Sequence, residues 1–199
     1  MPKDITKKFF EYHLKKYGKD DIRGMGWHEE DEYSIRFDVV TKDCDLDNSS
    51  ILDVGCGFGG LYKWLIANKI QNFTYLGIDI VEDMVKIAME KNPTGKFQYA
   101  DILEDNLGEF DYVFCIGTLN IGDEGYDEFV KEMLKKMIKI SKKAVAYSFL
   151  SQRKYLAKGP YHFENPEELK DWIEEEFNLK AEIIEDPRLS GESCLFIRK

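Results

Sequence analysis

Ile51-Leu52-Asp53-Val54-Gly55-Cys56-Gly57-Phe58-Gly59-Gly60 is the stretch that decides the fold. Ile51 to Val54 reads as the end of a buried strand, glycines then fall at alternate positions, and an amphipathic run opens at Leu61. A strand, a glycine turn and a helix in that order make the ligand-binding corner of an α/β sheet. Glycine permits φ > 0 and lets a ligand lie against the backbone. The amides that open the following helix can then point at that ligand. Taken alone, the turn fits equally a tight connection that binds nothing. Asp53, two residues before the first glycine, narrows the choice, because a buried acid is costly unless it is bonded. It suits a cationic or donor-rich ligand.

Outward from this corner the chain alternates strands and helices. Phe73 to Asp79 predicts a second strand ending in an acid, and Lys96 to Asp101 a third, short one, again ending in an acid. Asp79 lies about 20 residues past the glycines, where an acid at the end of the neighbouring strand can bond ribose hydroxyls. It could equally cap the helix predicted over 81–91. Phe110 to Ile116 is continuously apolar, as suits a parallel strand covered on both faces. Helical spacing puts Leu61, Trp64, Leu65 and Asn68 in one stripe, and Phe129, Met133, Met137 and Ile140 in the core face of a helix over 124–140. A strand over 143–150, a loop of about a dozen residues and a helix opened by Asn165-Pro166-Glu167-Glu168 follow. Residues 180–184 and 194–198 close the chain as strands with no helix between them. A parallel crossover needs a dozen or more residues, so the last strand should run antiparallel. Ahead of the corner, helices are predicted over 4–17, with Ile5, Phe9, Tyr12 and Leu14 on one face, and over 30–42, where Arg36 stands among apolar neighbours.

Composition bounds the function. The 199 residues hold 28 Lys and Arg against 38 Asp and Glu, a formal net charge of −10. That field repels polyanions and disfavours nucleic acid as a partner. Lys135, Lys136, Lys139, Lys142 and Lys143 read as a solvated helix face. No apolar run approaches the roughly 20 residues that span a bilayer, and Met1 to Ile5 shows no signal-peptide core. Cys44, Cys56, Cys115 and Cys194 are scattered, apart from His13, His28 and His162. They read as free thiols of a cytoplasmic protein and argue against a metal site.

Asp53-x-Gly55-x-Gly57-x-Gly59, the acids Asp79 and Asp101 after successive strands, and the reversed terminal hairpin together resemble the class I S-adenosylmethionine (SAM)-dependent methyltransferases. The resemblance covers about residues 50–199. It implies a doubly wound, mostly parallel, seven-stranded Rossmann-like sheet with an antiparallel last strand, preceded by N-terminal helices. Residues 1–199 would form a single SAM-dependent methyltransferase domain, with 1–45 a helical cap on a 50–199 core. The turn Gly55, Cys56, Gly57 and Gly59 would carry the methionine part of SAM, Asp53 its amino group and Asp79 the ribose hydroxyls. Asp101 would accept from the adenine amino group, with the Ile102 amide, Ile80 and Met84 around the ring. Cys115 and Gly117 would approach the amino-acid end. Trp27 is a candidate lid there, and Arg36 a candidate partner for the SAM carboxylate.

No residue is assigned as catalytic. His28, Tyr33, Asp123, Tyr155 and His162 lie in segments that can reach the mouth, none at a diagnostic spacing, and His162 between Tyr161 and Phe163 reads as structural. Cys115-Ile116-Gly117-Thr118-Leu119-Asn120 lacks the Asn/Asp-Pro-Pro-Tyr signature of enzymes that methylate adenine or glutamine, and it lacks the Pro-Cys pair of pyrimidine C5 chemistry. With the acidic charge, this favours a small-molecule acceptor. Thr118 and Asn120 would face that acceptor or cap the next helix. The competing readings are an NAD-dependent oxidoreductase, against which Asp53 and the terminal hairpin argue, and a SAM-binding protein without turnover.

Overall fold

The computed structural model describes residues 2–27, 30–123, 125–151, 159–189 and 191–199, with only the backbone for 30–32. In chain order these are α1 (Pro2–Tyr17), a 3-10 turn (Ile22–Met25), α2 (Glu30–Thr41), β1 (Ser50–Val54), α3 (Gly60–Ala67), β2 (Thr74–Asp79), α4 (Glu82–Lys91), β3 (Phe97–Tyr99), β4 (Phe110–Ile116), α5 (Tyr126–Ile140), β5 (Ser141–Leu150), α6 (Pro166–Phe177), β6 (Lys180–Ile184) and β7 (Glu192–Arg198).

The strands form one seven-stranded sheet in the order β3-β2-β1-β4-β5-β7-β6. β1 to β5 pair in parallel, and β7 runs antiparallel between β5 and β6. The expected Rossmann-like sheet with its reversed last strand is therefore present. Strand order reverses between β1 and β4, and sheets of this kind bind ligands at such a switch point, off the carboxyl ends of the strands.

Two layers of helices cover the sheet. On one face, Ile51 of β1 belongs to a core shared with Phe37 and Val40 of α2, Leu61 and Leu65 of α3, and Val85 and Ala88 of α4. Leu52 and Val54 belong to the core of the other face, with Val130, Leu134 and Met137 of α5 and Leu169 and Ile173 of α6. This is the alternation that a strand buried on both faces requires. Leu52 sits between Leu76 and Val113 in register, which places β1 inside the sheet, beside its middle strand β4.

The start of α6 follows its sequence signature. Asn165 Oδ1 accepts from the Glu167 and Glu168 amides at 3.1 and 3.4 Å, and Pro166 opens the helix. Asn165→Ala should cost about 1 kcal/mol, the usual worth of an N-cap. Urea denaturation reads this as a lowered midpoint at constant slope, and an unmoved midpoint would contradict the cap's contribution.

Two stripes differ from expectation. α1 turns Thr6, Phe10 and Leu14 toward the protein, whereas Tyr12 is 58% exposed. A polar residue can be buried at the centre of that face because the Thr6 hydroxyl is bonded, to the Tyr126 hydroxyl and the Ile121 carbonyl. On α3 the buried positions are Leu61, Tyr62 and Leu65, while Asn68 is exposed as the C-cap. The helix ends a residue before Asn68, so its side chain bonds the Trp64 carbonyl rather than the core.

Candidate active-site cleft

The glycine turn is pinned to the end of β2. The amides of Gly55 and Cys56 both donate to the Ile78 carbonyl, at 2.8 and 2.9 Å. Gly55 has φ +74°, and a Cβ there would lie 2.2 Å from Thr118 Cγ2, so β4's exit loop closes directly on the turn. Thr118 is itself held by a 3.0 Å bond to the Val54 carbonyl. Gly59 also has positive φ, but a Cβ on it would meet Asn92 and Phe97. Its role is packing beneath α3.

Above the turn opens a cleft that is continuous with solvent. Asp53, Asp79 and Asp101 line it together with Gly55, Cys56, Gly57, Ile80, Met84, Ile102 and Gly117. Three acids separated by up to 48 residues of chain thus share one wall, because β1, β2 and β3 end side by side. Cys115 is fully buried in β4 and Gly59 lies under the turn, so neither is among the lining residues.

The three acids differ in environment. Asp79 is 8% exposed; its Oδ2 accepts from the Gly57 amide at 3.0 Å and its Oδ1 from the Val81 amide at 2.9 Å. Val81, not Asp79, is the N-cap residue of α4. Burial pushes the Asp79 carboxyl up to about 6, a shift that these amide bonds restrain. Asp53 is 4% exposed and accepts from the Tyr75 hydroxyl at 2.7 Å. Burial raises it to about 7; the Tyr75 bond works against that rise, and the charge of Asp79 adds to it. Asp101 is more open, and Lys3 of α1 reaches it at 2.7 Å while also bonding Glu104. The thiols of Cys56 and Cys115 are both raised by burial, Cys115 to about 12, and are inert.

The far wall comes from the N-terminal segment. Lys3, Thr6 and Phe10 of α1, Met25, Trp27, and Tyr33 and Phe37 of α2 all line the cleft. Met25 Sδ accepts from the Phe58 amide at 3.3 Å and lies over Gly57. Leu119, Phe129 and Met133 complete the side toward α5, so part of the predicted core stripe also faces the cleft.

Other candidates lie elsewhere. Arg36 stands behind Trp27 and outside the lining, with Nε donating to Glu192 Oε2 at 2.7 Å. Its carboxylate partner is thus Glu192 of β7. Asn120 Oδ1 accepts from the Leu150 amide at 3.1 Å, tying the β4 loop to β5 rather than facing a ligand or capping α5. His162 Nε2 bonds Glu164 Oε1 at 2.6 Å, lies 3.5 Å from Asp127, and packs its ring on Tyr126, in keeping with a structural histidine. Asp123 is exposed. His28 and Tyr155 lie outside the described residues.

The sheet order, the reversed β7 and a glycine turn facing three acids define a class: this is the class I methyltransferase fold. Residues 51–139 match the family model described as "Methyltransferase domain". The release factor glutamine methyltransferase of Fusobacterium nucleatum is 32% identical over 83 residues, 39% of this chain and 23% of that protein. The ubiquinone biosynthesis O-methyltransferase of Xylella fastidiosa is 29% identical over 92 residues, 43% of this chain and 36% of that protein. The aligned stretch thus spans well under half of these curated relatives. Among solved structures, magnesium protoporphyrin IX methyltransferase from Synechocystis PCC 6803, with bound SAH, is similar at TM-score 0.71 and 19% identity over 99% of this chain and 100% of that one. Among the described residues no helix is long and apolar enough to cross a membrane.

Proposed function

We propose that the cleft binds SAM and that the protein transfers its methyl group to a small-molecule acceptor. One observation carries this reading: Asp53, Asp79 and Asp101 converge on one wall above a turn that a ligand can approach at backbone distance. The donor set fits the group. SAM presents an ammonium, two ribose hydroxyls and an adenine amino group, and the wall offers three carboxylates to accept from them.

In this reading Asp53 holds the amino group, Asp79 the ribose, and Asp101 the adenine amino group after sharing or releasing Lys3. Ile80, Met84 and Ile102 supply apolar contact to the base, and Gly55 and Gly57 the floor. Bound SAM supplies an activated methyl on a sulfonium, a ready electrophile for in-line displacement. The protein's share is alignment and exclusion of water. Residues 1–45 act as a cap on the 50–199 core, since α1, Met25, Trp27 and α2 make the wall opposite the acids. The end of β4 and the residues after it, Cys115-Ile116-Gly117-Thr118, lack the Asn/Asp-Pro-Pro-Tyr signature, which favours a small organic acceptor over protein glutamine or nucleic acid. Free Cys44, Cys56, Cys115 and Cys194 suit a cytoplasmic setting.

Isothermal calorimetry with S-adenosylhomocysteine (SAH), with NAD as the parallel titrant, tests the reading. Saturable SAH binding at micromolar Kd without NAD binding is expected. Heat from NAD alone would overturn it.

A further inference from the structure

Trp27, Arg36 and Glu192 form a stack that joins the cleft wall to the last strand. The benzo edge of Trp27 lies on Gly117: a Cβ at that glycine, which has φ +64°, would sit 2.3 Å from the indole Cη2. The Arg36 guanidinium carbon lies 4.1 Å from the centre of the Trp27 rings. Glu192 grips the same guanidinium with both oxygens, at 2.7 Å to Nε and through Nη2. Arg36 and Glu192 side chains are only 4% and 10% exposed. Trp27 borders the cleft; Arg36 and Glu192 do not.

A desolvated ion pair is a poor route to stability, since apolar residues of like volume do as well or better. What this pair supplies is geometry. A planar guanidinium held by a two-pronged carboxylate presents a rigid face for an aromatic ring, which a lysine cannot do. Glu192 also cancels the Arg36 charge, so a cationic ligand beside Gly117 meets a shaped wall rather than a repelling cation.

We infer that Arg36 and Glu192 are positioning residues, clamping Trp27 against Gly117 as a fixed wall, and that this wall sets affinity at the ligand end next to Gly55 and Gly117. The second half rests on the SAM reading above; the clamp does not.

The test uses the full chain with Trp64→Phe and Trp172→Phe, leaving Trp27 as the sole indole. In that background Arg36→Met with Glu192→Met removes both members of the ion pair, so neither of the two charges is left buried without the other. The fold should survive, read by circular dichroism. Acrylamide quenching of Trp27 should rise about twofold, and SAH binding should weaken by roughly tenfold, on the scale of losing a desolvated cation–π contact. Arg36→Lys, which keeps charge but loses the planar fork, should leave quenching high. Unchanged quenching in the folded double variant overturns the clamp. Raised quenching with unchanged SAH affinity overturns the role at the ligand. If the parent background binds no SAH, the SAM reading fails, while the quenching comparison still decides the clamp. Should the double variant not fold, Glu192→Gln is read the same way, with a smaller rise expected and no rise overturning the clamp.

Discussion

Asp79→Ala weakens SAH binding by about a hundredfold and lowers folding stability by about 1–3 kcal/mol. In the proposed reading both effects have one origin, because this carboxylate would serve the protein and the ligand together. Its oxygens take the Gly57 and Val81 amides at 3.0 and 2.9 Å, inside a residue that is 8% exposed. Alanine strands both amides. Each buried unsatisfied donor costs about 1–3 kcal/mol, offset in part because a charge no longer has to be buried. Hydrogen bonds to a charged acceptor contribute about 1.5–3 kcal/mol each, so losing those to two ribose hydroxyls accounts for two decades of affinity. Asp79→Asn keeps one acceptor but sets an amide NH2 against a backbone N–H, and should fall between. Calorimetry with SAH and urea unfolding measure the two effects separately. An Asp79→Ala protein with wild-type SAH affinity would remove Asp79 from the ligand's contacts.

The second large effect is on pH. Asp53 is raised to about 7 and Asp79 to about 6, in both cases first by burial. In the unfolded chain both titrate near their ordinary 3.8. Between about pH 4 and 7 the folded protein therefore binds more protons than the unfolded one, and the stability these two groups contribute falls as pH rises. The stability is fully present below about 4 and gone above about 7. At about 1.4 kcal/mol per tenfold change in proton affinity, the two shifts together set an upper bound of about 7 kcal/mol on the loss. A ligand ammonium against Asp53 has the opposite preference and favours the ionised carboxylate. SAM affinity should thus rise about tenfold from pH 5.5 to 7.5 while the free protein loses stability. Asp53→Asn should flatten both trends, which separates them from the lowered carboxyls of Asp21, Asp111 and Asp186, whose influence lies below pH 4. A SAM affinity that stays level across this range would mean that Asp53 meets no cation.

What was legible in the sequence is what local pattern encodes. The glycine corner, the acids closing β2 and β3, and the absence of a helix between β6 and β7 all follow from spacing along the chain. The opposite wall does not. Lys3 meets Asp101 across 98 residues, and Arg36 meets Glu192 across 156. No periodicity records such pairs. Arg36 stood out because its neighbours are apolar, which signalled a buried partner but not which carboxylate. On α1 the apolar count pointed to Tyr12, yet a threonine with two hydrogen bonds is what lies inward. Phe129 and Met133 match a core stripe and also border the cleft, since a helix face of that width can serve both.

The position of β7 bears on how the chain reaches this structure. It is the last of the seven strands in chain order, yet it lies inside the sheet, and among the described strands β6 pairs with it alone. While a ribosome is still adding Glu192 to Arg198, β6 has no strand to pair with and β5 is a bare, apolar edge. Sheet completion is therefore a late event of high sequence separation, and such pairings are slow and prone to association while they wait. The same insertion brings Glu192 to Arg36, so the clamp behind Trp27 is assembled only when the final strand docks. In the growing chain the glycine corner can exist before that moment; the finished wall cannot.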